Sequence, residues 1–294
     1  MSLHPTPPSW PVDGRDWPNR EHSRVIRSGG LSWHVQEMGE GPKLLLLHGT
    51  GAATHSFRDL LPALARTFHV LALDLPGHGF TSMPPSSGLR LDGMARLVGG
   101  VLTRAQFRPD LVVGHSAGAA ILVSMTLSGL IQPKAIVALN GALRPIQGAS
   151  LFSPMAKLLF VNPFAPKLFA WRAKSDGATR QLLESTGSTI DPRGVALYER
   201  LFRRSGHVAG TLGMMANWDL APLGPAMAGL KTPLILVTAP NDRAIPPSDA
   251  AAIKAEVTVA DIRALDSGGH LVHEEQPERI ATLIGDVARD VGLT

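Results

Sequence analysis

Apolar positions recur along most of the chain in two alternating periods. Leu31 to Glu37 alternates apolar and polar residues with the two-residue period of a half-buried strand. Leu44 to Leu47, His69 to Leu73, Leu111 to Gly114 and Ala135 to Leu139 are short apolar runs, as expected of strands covered on both faces. Helices are predicted between them. The first spans about residues 54–66. The second, Leu89 to Gln106, carries Leu91, Met94, Ala95, Val98, Val101, Leu102 and Ala105 on one side, and the third runs from Ala117 to Leu127. At about Gly141 the alternation stops, and from there to Leu223 the pattern is mainly helical and Pro-interrupted. It resumes with a strand at Pro233–Thr238, a helix near Ser248–Ala255, a strand at Val257–Ala264 and a helix at Glu275–Val291. Such an order predicts an α/β fold: a mostly parallel sheet with helices on both faces. The expected division is an N-terminal arm (1–21), a core (22–140 and 224–294) and a helical cap (141–223). The cap follows the C-terminal end of a strand, where open α/β sheets bind ligands.

Composition narrows the class. A chain of 294 residues, 44% hydrophobic, can bury a large core without a disulfide or metal staple. The absence of Cys removes disulfide frameworks, zinc ribbons and iron–sulfur sites. A net charge of +4 is too small to indicate nucleic-acid binding. That charge is unevenly placed: residues 141–230 hold ten basic and five acidic residues, a local +5, which leaves −1 for the rest. Eight of the 15 aromatic residues fall in the same stretch. Met1 to Pro18 has neither the basic start nor the apolar run of a secretory signal. The longest apolar stretch, Ala117–Ile131, is interrupted by polar residues and shorter than the roughly 20 residues of a spanning helix. A soluble, cytoplasmic protein is expected.

Gly114-His115-Ser116-Ala117-Gly118 matches G-x-S-x-G and lies between a predicted strand and an Ala-rich helix. That context is what a nucleophile elbow demands. A serine hydroxyl needs a base to act near neutral pH, and the base needs a carboxylate to orient it. In the expected chain order of serine, acid and histidine, Asp242 and His270 follow the next two strands and reach the same sheet edge. Asp249 and Asp266 are rival acids, and His273 is the rival base. The His270–His273 spacing lacks a third ligand at metal spacing, so no metal site and no cofactor are assigned. The backbone amides of Thr50, in His48-Gly49-Thr50-Gly51, and of Ala117 are the expected oxyanion donors. Asp74 is expected to organise its turn, and His48, His78 and His115 to serve packing and loop hydrogen bonds. His55, opening a helix just after the oxyanion loop, is a candidate to face the substrate.

His48-Gly49-Thr50-Gly51, Asp74-Leu75-Pro76-Gly77-His78-Gly79, the Ser116 elbow, Asp242 and His270 together resemble the α/β-hydrolase fold family over about residues 22–292. The resemblance implies a cap inserted after the sixth strand. Where that family often has Trp after the oxyanion loop, this chain has Phe57, preceded by His55. Asp16-Trp17-Pro18-Asn19-Arg20, Trp33-His34-Val35-Gln36 and the segment from His48 through His55-Ser56-Phe57-Arg58 look like the magnesium-chelatase accessory proteins (BchO type) of bacteriochlorophyll biosynthesis. This closer resemblance implies a role near magnesium insertion into protoporphyrin, with magnesium-chelatase subunits as partners. Under it, Phe152, Met155, Phe160, Phe164, Phe169, Trp171, Met214, Met215 and Trp218 of the cap become candidates to line an apolar pocket over Ser116. Basic residues such as Arg144, Lys157, Lys167 and Arg172 would meet anionic groups there. The apolar residues are equally explained as the cap's own core. Two functions remain: a serine hydrolase acting on a carboxylic ester or tetrapyrrole-related small molecule, and a non-catalytic tetrapyrrole-binding accessory protein. The arm's Trp10, Trp17 and Arg20 are explained either by packing across the sheet edge or by a partner.

Overall fold

The computed structural model describes residues 5–145, 162, 164–173, 175 and 177–294. Eight strands form one sheet: β1 (Ser23–Ser28), β2 (Leu31–Met38), β3 (Lys43–Leu47), β4 (His69–Leu73), β5 (Leu111–His115), β6 (Ala135–Leu139), β7 (Leu234–Thr238) and β8 (Ala260–Ala264). Their order is β1-β2-β4-β3-β5-β6-β7-β8. β2 pairs antiparallel with β1 and β4, and all other pairs are parallel.

The continuous apolar runs arise because each central strand is buried on both faces. Leu45 and Leu47 of β3, Val112 of β5, Ile136 and Ala138 of β6, and Leu234 and Leu236 of β7 join one core layer. Their alternate neighbours Leu44, Leu46, Leu111, Val113, Ala135, Val137, Leu139, Ile235 and Val237 join the opposite layer. Helices Leu91–Arg104, Ala117–Leu127 and Pro247–Glu256 cover the first face, while Leu60–Leu64 and Pro277–Asp290 cover the second. Leu91–Arg104 buries the predicted stripe, Met94, Ala95, Val98, Val101 and Leu102. Ala117–Leu127 is apolar all round because it is buried almost all round.

The sequence pattern misses β1, for a physical reason. As the edge strand it buries only Ile26 and leaves Arg24 and Val25 exposed, so no two-residue period develops. Counting β1 makes β6 the sixth strand, after which the insertion begins. The helix expected over 54–66 is two elements, a 3₁₀ turn at Thr54–Phe57 and a short helix at Leu60–Leu64. The last helix starts at Pro277, because proline at the first helical positions has no N–H to be satisfied. β8 is shorter than expected, since Val257 still closes the preceding helix through its N–H to Ile253 O.

Between β6 and β7 the described residues form helices Ala165–Arg172, Ala178–Ser185, Pro192–Phe202, Ser205–Asn217 and Leu223–Met227, with no strand among them. The arm lies against two of these helices. Asp13 pairs with Arg204 and Asp16 with Arg200, both at 2.6 Å. Trp17, 2% exposed, donates Nε1–H to Thr54 Oγ1 at 3.1 Å. No helix among the described residues is long and apolar enough to cross a membrane.

Candidate active site

Ser116 directly follows β5 at φ 50° and ψ −119°, a conformation that non-glycine residues seldom adopt. Its backbone is pinned from two sides: the N–H donates to Leu139 O (3.1 Å), and its carbonyl accepts from Ala119 N (3.1 Å) and Ala142 N (3.0 Å). The flanking glycines are required by close approach. A Cβ on Gly118 would lie 2.3 Å from Leu47 O, and one on Gly114 would lie 2.4 Å from Ala119 N. Gly118→Ala should therefore push the helix off β3 and cost at least about 2 kcal/mol, read as a lowered urea midpoint.

Asp242 follows β7 and is spent on three contacts. Oδ1 accepts from Ala244 N and Ile245 N, both at 2.8 Å, and Oδ2 accepts from His270 Nδ1 at 2.9 Å. The Asp242 side chain has no exposed surface, whereas that of His270 keeps 11%. A carboxylate can only accept, so Nδ1 carries the imidazole proton and Nε2 is left as the basic nitrogen. His270 is brought to the Ser116 turn through His115, whose Nε2 contacts His270 O at 2.9 Å and whose ring lies 4.7 Å from that of His270.

The loop after β3, expected to supply one oxyanion amide, stands beside the same turn. A Cβ on Gly49 would meet both Ser116 Cβ and His115 Nδ1 at 2.9 Å. The Thr50 hydroxyl donates to Met214 Sδ at 3.3 Å. Ala117 opens the helix Ala117–Leu127, and a first-turn amide has no acceptor within its own helix.

The rivals are placed elsewhere. His273 is buried against Ser56 Oγ (2.8 Å), and burial followed by the neighbouring His270 and Arg58 lowers it to about 3. Asp249 sits in the first turn of Pro247–Glu256, and Asp266 is exposed and paired with Arg279. Asp74 takes the structural place expected of it: fully buried, it accepts from Thr54 N (2.7 Å), Phe80 N (2.9 Å) and His34 Nδ1 (2.9 Å). Burial opposes its charge, but His34, His48 and the Phe80 amide overcome that and hold the carboxyl well below its ordinary range.

The pocket residues are not gathered as expected. His55 does not face an opening. It is fully buried, with Trp17 of the arm on one side (5.3 Å) and Tyr198 on the other (4.4 Å), and neither ring nitrogen has a partner. Phe164, Phe169 and Trp171 are 62%, 44% and 66% exposed, because Ala165 and Ala170 are the residues that segment turns inward, and Met215, on the helix Ser205–Asn217, is 47% exposed. Trp218 packs half-buried against the main core. Arg144 pairs with Glu256 at 2.9 Å. Phe152, Met155, Lys157 and Phe160 lie outside the described residues. Met214, also among the expected pocket residues, is fully buried against Thr50. Among the described residues, no cluster of three or more His, Cys, Asp or Glu is placed to hold a metal ion.

Several polar residues that local pattern does not single out hold this edge together. Asn140, at φ 45° after β6, donates Nδ2 to Gly269 O (2.8 Å) and His270 O (3.0 Å), while its Oδ1 accepts from Ala239 N (3.2 Å). It thus ties the acid-bearing strand to the histidine loop. The one available signal was Asn-Gly after a buried strand. Asn140→Asp keeps the acceptor and loses both donors, so kcat on an ester should fall about tenfold with KM little changed. Buried Arg58 bonds to Glu274 and to Asp191 (2.5 Å), joining the histidine loop to the helix Pro192–Phe202. Burial disfavours its charge, but the two carboxylates more than restore it, and its pKa is raised. Tyr198 adds a hydrogen bond to Glu274 Oε1 at 2.7 Å. His207 accepts from Gly79 N (3.1 Å) and donates to Gly51 O (3.0 Å), fixing the loop after β3 from the insertion.

Residues 44–283 match the alpha/beta hydrolase family. The magnesium-chelatase 30 kDa subunit of Rhodobacter capsulatus is 36% identical over 275 residues, covering 92% of this chain and 96% of that one. An uncharacterized hydrolase of Bacillus subtilis is 26% identical, covering 86% and 92%. Among solved structures, a haloalkane dehalogenase from Agrobacterium tumefaciens superposes with a TM-score of 0.76 at 21% identity, covering 92% and 97%. An alpha/beta hydrolase fold protein from Burkholderia ambifaria gives 0.75 at 22%, covering 90% and 97%. At that identity the two structures speak for the fold alone.

Proposed function

We propose that this chain, which belongs to the α/β-hydrolase family, is a cytoplasmic serine hydrolase that cleaves a carboxylic ester, and that it serves tetrapyrrole metabolism. The observation that carries the reading is the Asp242 Oδ2–His270 Nδ1 contact of 2.9 Å. It fixes the tautomer in which Nε2 can take a proton, at the sheet edge where the strained turn presents Ser116. Ser116 Oγ attacks the ester carbonyl as His270 Nε2 removes its proton. The Thr50 and Ala117 amides receive the oxyanion. The imidazolium, stabilised by Asp242, then gives the proton to the leaving alcohol, and water releases the acyl group by the same relay.

The substrate class is inferred from a relative. The Rhodobacter capsulatus protein is described as a magnesium-chelatase subunit, which points to a porphyrin ester or related intermediate and to chelatase subunits as partners. That same description names no hydrolysis. It favours a second reading, in which the chain holds or delivers a tetrapyrrole and the Ser116 site is not used. Complementation separates the two. In a deletion strain, the Ser116→Ala variant should fail to restore pigment formation if hydrolysis is the physiological step. Full restoration by that variant would establish the second reading.

A further inference from the structure

The helix Ala165–Arg172 is oriented against its own composition. It buries the small residues Ala165, Pro166 and Ala170, with the alanines packed on Val208 and Leu212 of the neighbouring helix. Its large apolar side chains face outward: Phe164 is 62% exposed, Leu168 62%, Phe169 44% and Trp171 66%. A helix on a water-facing surface does the reverse. Ten large apolar side chains are exposed among the described residues, and these four fall within eight consecutive positions. This is a patch, not the scattered exposure that any surface tolerates. Charge accompanies it. From Phe164 to Leu183 the sequence carries Lys167, Arg172, Lys174 and Arg180 against Asp176, a net +3. Arg172 and Arg180 are both exposed.

We propose that this face docks the protein peripherally on an anionic lipid bilayer. Phe164, Leu168, Phe169 and Trp171 enter the boundary between headgroups and acyl chains, and the exposed Arg172 and Arg180 meet lipid phosphates. Aromatic and leucine side chains beside Lys and Arg are the composition by which interfacial helices bind such surfaces. A bilayer offers an apolar interior and a negative surface in adjacent layers, which matches both halves of the patch. An acidic protein face matches the charges alone. Docking would bring the helices that meet the oxyanion loop close to the membrane, where an apolar ester substrate would concentrate. The proposal stands on surface chemistry and does not require Ser116 to be catalytic.

Flotation of the full-length protein with phosphatidylcholine vesicles, with and without phosphatidylglycerol, is the test. Binding should be at least about fivefold higher on the anionic vesicles and should weaken in about 0.5 M salt, where charges are screened within a few Å. Leu168→Ser combined with Trp171→Ser should lower that binding at least about fivefold. Because both residues are exposed, the far-ultraviolet spectrum and melting temperature should not change. Arg172→Glu with Arg180→Glu leaves the apolar face intact and should remove the preference for anionic lipid, a check that does not depend on the first variant folding. Three results would each overturn the proposal: no vesicle binding, equal binding by the Leu168/Trp171 variant, or a dimer in solution that this variant converts to monomer.

Discussion

Ser116→Ala is expected to lower kcat/KM for a p-nitrophenyl ester by at least about 10³-fold, equivalent to about 4 kcal/mol of transition-state stabilisation. The expectation rests on three features. The Ser116 turn is over-determined by hydrogen bonds to Leu139, Ala119 and Ala142, so the substitution removes the proposed nucleophile without freeing the backbone. Asp242 is committed to His270 and to two amides of its own loop, and no other described carboxylate reaches the imidazole. His273, the neighbouring imidazole, is held at Ser56 and lowered to about 3, so it offers no replacement relay. Alanine keeps the left-handed backbone at similar strain, so the melting temperature should stay within a few degrees of the parent. A His270→Ala variant should match Ser116→Ala in activity, and the double variant should lose little more, because the groups act as one unit.

A steep loss of stability on mild acidification is the second large effect expected. His48, His55, His78, His115, His207 and His273 are all buried, and burial is in each case the leading cause that lowers the imidazole below its ordinary 6.5. His207 falls to about 4 and His273 to about 3. Between 6.5 and those values the unfolded chain binds protons that the folded chain refuses, so stability is complete above pH 6.5 and falls as pH falls. Each such histidine contributes a slope of about 1.4 kcal/mol per pH unit inside its window, and His207 and His273 together contribute about 3. Against a typical total of about 5–15 kcal/mol, His207 and His273 should remove about 4 by pH 5, and the other four histidines act in the same direction. Asp74 extends the effect. Its depressed carboxyl supplies stability above pH 3.8 that is lost on further acidification. Urea midpoints at pH 7.5, 6 and 5 should decline steadily, and a flat profile would contradict neutral burial of these rings.

Much of this architecture is legible in the sequence because its signals are local. Runs such as Leu44–Leu47 and Val112–Val113 announce doubly covered strands. The order Ser116, Asp242, His270 follows from which strand each loop succeeds. What resists reading is set by partners distant in sequence. Ile26 alone faces the core from β1, so that strand has no period. Arg58 and Glu274 are 216 positions apart, and nothing near either residue betrays their pairing. His55 sits just after the Thr50 loop in sequence, yet Trp17 and Tyr198, from the arm and the insertion, enclose it. The outward face of Ala165–Arg172 escapes detection for a similar reason. Its composition suits a buried helix, and only tertiary packing shows that the alanines won the inner position.

The most direct measurement is the intact mass of the protein after reaction with a fluorophosphonate, followed by peptide mapping. A working relay should yield a single phosphonyl adduct on Ser116, formed at least about 10²-fold more slowly in His270→Ala and absent in Ser116→Ala. An unmodified chain under conditions that fully label a serine esterase, or an adduct formed equally well without His270, would contradict catalysis by Ser116.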